Sequence, residues 1–264
     1  MGDASRPQGV TARLHDELAE WGVRPGGVLM VHASLSGTGL APVAVRDALL
    51  RALGPDGTLV VPAFTPENSD TSREYQAFTE GMTEREKAEF RTSMLPFEPN
   101  ATPCPTMGAL AECVRTTPGA VRSAHPQTSF AALGRRAEAL LSGHDPHCHL
   151  GERSPMATLY EADAQVLLLR VGFGVCTAFH LAEYRMSPPP PVRTYRCVVE
   201  DKGNWTEYED LSLDDGDFAA IGALLPHGLV TERQFAGKQT FLFGMRDAVD
   251  TARHLMSGYR AELT

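Results

Sequence analysis

Lysine is scarce in this chain. Lys87, Lys202 and Lys238 are its only lysines, so arginine carries nearly all the positive charge. No glycine-rich loop ending in Gly-Lys-Ser or Gly-Lys-Thr occurs, which argues against nucleotide hydrolysis on a P-loop. No apolar run approaches twenty residues, and the N-terminus has no basic-then-apolar stretch. Neither a membrane span nor a signal peptide is therefore expected. Cysteine is sparse too. Cys104, Cys113, Cys148, Cys176 and Cys197 are scattered, odd in number and form no Cys-x-x-Cys pair. That pattern predicts reduced thiols in a cytoplasmic protein and no disulfide framework. Positive charge is short overall, with a formal net charge of -9. General nucleic-acid binding, which must neutralise phosphates, does not fit such a balance. An acidic cleft for a cationic small molecule does.

What is present is core. The chain has 264 residues, 42% of them hydrophobic, enough to bury one large domain or two small ones. Its organising stretch is QVLLLRVGFGVCTAFHLAEYR, residues 165–185. Gln165 to Val171 is an apolar run interrupted only by Arg170, the signal of a strand buried on both faces. Gly172 and Gly174 break it, and helix formers run from Thr177 through Tyr184. Open α/β folds place ligands at such strand ends. Thr177, His180 and Glu183 are spaced at three, along one helix face. A histidine oriented by a carboxylate is a general base; the same pattern also suits a hydrogen-bonded core histidine.

In chain order, Val10, Leu14, Leu18 and Trp21 mark a first amphipathic helix. Val28 to His32 is a short buried strand running into a glycine-bearing loop, Ala33 to Gly39, of the kind that holds an anion on backbone N–H groups. A helix over 43–53 and a strand over 58–64 complete a parallel crossover. Residues 65–105 form a long polar excursion with a helical middle from Thr83 to Thr92, rich in Glu67, Asp70, Glu74, Glu80, Glu84, Glu86 and Glu89. These acids read as an acidic wall or as a solvated face. A helix is expected from Thr106 to about Thr117, a strand over 130–133 and a short helix over 136–141. His144, His147, Cys148 and His149 invite a zinc reading, but zinc ligands come as separated pairs that converge on the ion, so no metal is expected. Ser154 and Pro155 start the helix before the central strand. After a proline linker, Val192 to Glu200 and Trp205 to Tyr208 form a hairpin; acid-rich residues 210–217, a helix over 218–224, a strand over 240–243 and a terminal helix over 245–256 follow.

The motifs VHASLSGTG (31–39), GTLVVPAFT (57–65), TMGALAE (106–112), RSAHPQTSFAALG (122–134), GERSPMATL (151–159) and VGFGVCTAFHLAEYR (171–185) form an ordered set. The set resembles the aminoglycoside 3-N-acetyltransferase family, over about residues 10 to 257. The resemblance implies a three-layer α/β/α sandwich with a mixed central sheet, here with an inserted acidic segment and a C-terminal hairpin. It implies one antibiotic N-acetyltransferase domain over 1–264, whose excursion at 65–105 lines the acceptor cleft, with room for a homodimer. Acetyl-coenzyme A is the implied donor and an aminoglycoside amine the acceptor. His180 matches the family's base and Thr177 the threonine one turn before it. Glu183 is the local candidate for the completing carboxylate; Asp214 and Asp217 are distant ones. The coenzyme A surface is expected at His32, Ser34, Leu35, Ser36, Gly37, Thr38, Thr106, Met107, Arg122, Ser123, His125, Ser129 and Phe130. The acceptor is expected at Phe64, Glu67, Asp70, Glu74, Tyr75, Asp210 and Asp217. Cys176 as a nucleophile activated by a histidine stays an alternative. So do an acetyltransferase acting on another amine metabolite, separated by a substrate panel, and a non-catalytic drug binder, separated by release of free coenzyme A.

Overall fold

The computed structural model describes residues 7–198, 202 and 204–261, with side chains from residue 13 onward. The side chain of Val10, and Val199, Glu200 and Gly203 of the expected strand and turn, lie outside the described residues. In chain order the elements are α1 (Pro7–Trp21), β1 (Val28–Ala33), α2 (Pro42–Leu53), β2 (Thr58–Pro62), α3 (Arg73–Phe78), α4 (Glu84–Ser93), α5 (Ala109–Arg115), β3 (Val121–Arg122), β4 (Phe130–Gly134), α6 (Ala137–Leu141), α7 (Pro155–Glu161), β5 (Gln165–Leu169), α8 (Ala178–Tyr184), β6 (Val192–Val198), β7 (Trp205–Leu211), α9 (Phe218–Ala223), β8 (Val230–Phe235), β9 (Lys238–Gly244) and α10 (Met245–Ala261). Seven strands form one sheet in the order β3-β4-β2-β1-β5-β9-β8. β1 runs parallel to β2 and β5, and the outer pairings are antiparallel. β6 and β7 pair as a separate hairpin.

Alternation along the central strands explains the layers. Val28 and Met30 of β1, Val60 of β2, and Val166 and Leu168 of β5 face a core built with α6, α7, α8, α9 and α10. Leu29 and Val31, Leu59 and Val61, and Leu167 and Leu169 face the opposite core, closed by α1, α2 and α5. Both faces of the sheet are therefore covered, giving the three-layer arrangement with a mixed sheet. No helix among the described residues is long and apolar enough to cross a membrane.

Several boundaries differ from expectation for local reasons. The central strand stops at Leu169, because Arg170 takes a φ of +62° that no strand continues. The helix expected from Thr106 is two pieces, a 3-10 turn over Pro105–Met107 and α5. Gly108 separates them at φ +87°, where a β-carbon would lie 3.6 Å from the Ala33 carbonyl. β3 has only two residues and β8 (VTERQF) lacks apolar alternation. Both are sheet edges, where charged residues discourage further pairing, so neither carries a strand signature. The terminal helix runs past Met256 to Ala261, and its last turn matters below.

Candidate active site

The carboxyl ends of the parallel strands β1 and β5 lie side by side, Ala33 opposite Leu169. The chain leaves β5 through Arg170 and a 3-10 turn over Phe173–Val175, then enters α8. Three-residue spacing on α8 brings two of the expected residues together: His180 Nδ1 lies 2.6 Å from Glu183 Oε2. The His180 side chain is 16% exposed and that of Glu183 is 0% exposed, so the pair is reached through the imidazole alone. A carboxylate at Nδ1 fixes the hydrogen there and leaves the Nε2 lone pair free. Thr177 is buried beneath the pair and receives the His180 N–H on its carbonyl, 3.1 Å away.

Glu183 is satisfied on both oxygens. Its Oε1 accepts from Arg260 Nη1 at 2.7 Å and from the Asp214 N–H at 3.1 Å. Arg260, near the end of α10, also grips Asp217 through Nε at 2.7 Å and Nη2 at 2.8 Å. These carboxylates hold the guanidinium's proton more firmly than usual. Of Glu183, Asp214 and Asp217, it is the Glu183 carboxylate that contacts the His180 ring. Asp214 acts with its backbone: its carboxylate is turned out, accepting from Gly216 N–H at 2.9 Å and lying 3.9 Å from Arg73. Asp217 is tied to Arg260 and is not an open acceptor carboxylate. Arg260 went unnoticed in the sequence because nothing local links it to a residue 77 positions earlier.

His32, at the end of β1, shares this space. Burial, reinforced by the charge of His180, lowers its pKa to about 4, so it stays neutral near pH 7. Its Nε2 is buried with no hydrogen-bond partner among the described residues. The Ser34 to Thr38 loop follows directly, closed by Thr38 N–H to Leu35 carbonyl at 3.2 Å, with Gly37 at φ +73°. Thr106 and Met107 precede Gly108, which packs by the Ala33 carbonyl, so they belong to the same strand end.

The Arg122 to Phe130 turn, expected on the coenzyme A surface, is largely buried. Ser123, His125, Ser129 and Phe130 are buried, and their polar side-chain atoms bond within the chain except His125 Nε2, which has no partner among the described residues. Ser123 Oγ donates to His144 Nδ1 at 3.0 Å and accepts the Phe130 N–H at 2.9 Å. His125 Nδ1 accepts N–H groups from Gln127 at 3.1 Å and Thr128 at 3.0 Å. Ser129 Oγ donates to the Ala63 carbonyl at 2.8 Å. Arg122 donates to Ser129, Ala63, Pro99 and Thr102 and stacks over Phe97. Burial lowers its pKa to about 10. This arginine ties the excursion to the sheet and spends its donors doing so.

A second histidine–carboxylate pair lies beside the first. His149 Nδ1 is 2.9 Å from Asp210 Oδ2, its N–H donates to the same oxygen at 2.7 Å, and Tyr184 OH donates there at 2.5 Å. Tyr208 OH lies 2.9 Å from His149 Nε2. Asp210 is therefore a buried anchor and no exposed acceptor residue. Burial pushes its carboxyl up, but the bonds from His149 and Tyr184 outweigh that and hold it below the ordinary range. Burial lowers His149, against the pull of Asp210. His144 is lowered to about 4, mainly by burial, with Nε2 facing the Cys148 and His149 carbonyls. His147 stacks on Tyr208 with centroids 5.6 Å apart.

The acidic excursion is only partly anionic towards a ligand. Asp70 pairs with Arg196 of β6 and is buried. Burial raises Glu67, whose Oε2 has no partner among the described residues. Tyr75 is buried against Phe90, and Phe64 packs edge-on to Phe130. Glu74 is exposed. The acids of α4 serve their own helix: Glu86 closes a capping box with Thr83, and Arg85–Glu89 and Lys87–Glu84 pair along it. Cys176 is 0% exposed and burial pushes its thiol up to about 12. A nucleophilic thiolate is thus disfavoured where it stands.

The site is thus a mixed α/β/α sheet with a histidine–carboxylate pair on the helix that follows its central parallel strand. The family model described as aminoglycoside 3-N-acetyltransferase matches residues 30–257. The chain is 33% identical over 246 residues to the SPbeta prophage-derived aminoglycoside N(3')-acetyltransferase-like protein YokD of Bacillus subtilis (strain 168), covering 90% of this chain and 89% of that one. The crystal structure of YokD superposes with a TM-score of 0.87 at 30% identity, covering 96% of this chain and 95% of that one. Aminoglycoside N(3)-acetyltransferase III of Pseudomonas aeruginosa is 32% identical over 249 residues, 89% of each chain. A structure of AAC-IIIb in binary complex with CoASH superposes with a TM-score of 0.80 at 26% identity, covering 95% of this chain and 97% of that one. The chain belongs to the aminoglycoside 3-N-acetyltransferase family and is an acetyltransferase that uses acetyl-coenzyme A.

Proposed function

We propose that this enzyme transfers the acetyl group of acetyl-coenzyme A to an amino group of an aminoglycoside, with His180 as general base. The observation that carries the proposal is the 2.6 Å contact between His180 Nδ1 and the buried Glu183. An amine near neutral pH is mostly ammonium and has no lone pair to attack a thioester. His180 Nε2 takes that proton, and the amine nitrogen bonds to the thioester carbonyl carbon. The C–S bond then breaks, the sulfur leaves with the proton returned from His180, and the acylated nitrogen gives up its remaining extra proton to solvent. Such base assistance is worth roughly a hundred- to ten-thousand-fold. Glu183 holds the imidazole in one tautomer and balances its transient charge. Arg260 and the Asp214 N–H keep Glu183 in place. The acceptor's remaining ammonium groups would meet Glu74 and the carboxylates of Asp214 and Asp215 on the outer rim. A role in antibiotic resistance belongs to the same reading.

The test is direct. Purified enzyme is mixed with acetyl-coenzyme A and a panel of aminoglycosides, free thiol release is followed, and products are read by mass spectrometry. Thiol release with a single added acetyl on the drug, lost in His180→Ala while coenzyme A still binds, supports the proposal. Thiol release with other amines but none with aminoglycosides would move the acceptor to another amine. Drug binding without thiol release would make the chain a binder.

A further inference from the structure

Arg170 is the one charge in the central apolar run, and nothing in the proposed chemistry uses it. It is 5% exposed and sits at φ +62°, a left-handed conformation that side chains adopt at a cost and that tends to persist at ligand sites. Its Nε donates to the Ser34 carbonyl at 3.1 Å and its Nη2 to the Ser36 carbonyl at 3.1 Å. Its Nη1 donates to the Ala236 carbonyl, and its backbone N–H goes to Thr240 Oγ1 at 3.2 Å. All three side-chain partners are neutral carbonyls, so the geometry of the guanidinium is fixed while no carboxylate among the described residues pairs with its charge. A buried charge without a counter-charge is costly. A guanidinium has five N–H donors, and these three bonds leave two unspent.

Beside it opens a cavity of about 250 Å³, lined by Arg170, Val171, Gly172, Lys238, Gln239 and Phe241. Lys238 brings a second cation to the lining in a chain that has three lysines in all. The volume falls below the roughly 300–1,000 Å³ of pockets that enclose a whole drug-sized ligand, so it suits one group of a larger molecule or a small ion. Two cations, one a forked donor held rigid, select a tetrahedral dianion. Through its bonds to Ser34 and Ser36, the same arginine braces the loop that follows β1.

We propose that this cavity is a phosphoryl-anion subsite in which Arg170 and Lys238 hold a terminal phosphate. That the phosphate belongs to coenzyme A rests on the acetyltransferase reading above; free phosphate has the same chemistry. Lys238 is exposed at the start of β9, so its replacement leaves the core untouched. Calorimetry would compare coenzyme A, 3′-dephospho-coenzyme A and inorganic phosphate on the wild type, Lys238→Ala and Lys238→Glu. If the phosphate is that of coenzyme A, the wild type prefers coenzyme A over its dephospho form by about tenfold, the worth of one charge-assisted contact. Lys238→Glu then abolishes the preference and leaves dephospho-coenzyme A affinity unchanged. Equal affinity for the two forms, with inorganic phosphate binding lost in Lys238→Glu, assigns the site to free phosphate. Equal affinity with no phosphate binding, or a preference untouched by either substitution, overturns the proposal. If no form of coenzyme A binds, the acetyltransferase reading fails separately, and the phosphate titration alone decides the subsite.

Discussion

Replacing Arg260 with methionine removes the cation that faces the buried Glu183 and leaves its carboxylate with His180 and one backbone N–H. Removing one partner of a fully buried pair costs about 3–5 kcal/mol. Here the carboxylate is 0% exposed but the arginine side chain is 23% exposed, so solvent screens part of the interaction. A loss of roughly 2–3 kcal/mol is expected, or about 4–10 °C in Tm. Glu183 would then re-aim, and because small misplacements near a reacting centre cost up to about a hundredfold, kcat should fall by at least tenfold. The KM for acetyl-coenzyme A should hold. The decisive assay is a double-mutant cycle with Glu183→Gln, read by urea unfolding. Once Glu183 is neutral, Arg260→Met should cost much less, giving a coupling energy of about 1–3 kcal/mol. Arg260→Lys should recover part of the kcat. If the two substitutions add within about 0.5 kcal/mol, the arginine does not act through Glu183 and the reasoning fails.

Three further outcomes are expected. His32 and His144, each lowered to about 4, stay neutral in the folded chain while the unfolded chain takes up protons below about 6.5; stability should fall by roughly 2 kcal/mol per histidine between pH 7 and pH 5, and the slope in urea titrations should flatten in His144→Gln. Cys176→Ala should keep turnover within a few-fold, because a thiol at about 12 is protonated; abolished turnover would reinstate the thiol as nucleophile. Gly151→Ala would drive a β-carbon into the Tyr184 ring, displacing the hydroxyl that donates to Asp210. Lower stability and a raised KM for the drug are expected there, and an unchanged enzyme would show that Tyr184 can yield freely.

The His180–Glu183 pair was legible because its members are three residues apart on one helix after an unmistakable buried strand. The layers were legible from the same alternation that divides β1, β2 and β5 between two cores. Contacts across the chain left no such trace. Arg260 meets Glu183 over 77 positions and Asp210 meets His149 over 61. Asp210, expected at the acceptor, is buried, and a signal for its burial existed. In β7, Glu207 and Glu209 are exposed while Tyr208 between them is buried, and period-2 alternation puts Asp210 on the inner side with Tyr208. The inward bonding of the serine and histidine turn at 122–130 was hidden for a different reason. Polar residues suggest a surface, but here they bond one another inside, where buried polar groups must find partners.

The β6–β7 hairpin has a consequence for how such an enzyme changes over time. Among the described residues it makes no strand pair with the main sheet. It is fastened instead to the excursion, through Arg196 to Asp70, the Asn68 side chain to the Val198 carbonyl at 2.9 Å, and a bridge between Ser69 and Cys197. His180 and Glu183 sit on α8, which Arg260 of α10 braces at Glu183 and which the hairpin meets only one residue later, where Tyr184 donates to Asp210. Hairpin and excursion thus form a clasp whose exposed outer face can change residue by residue while the buried contact between His180 and Glu183 keeps its footing.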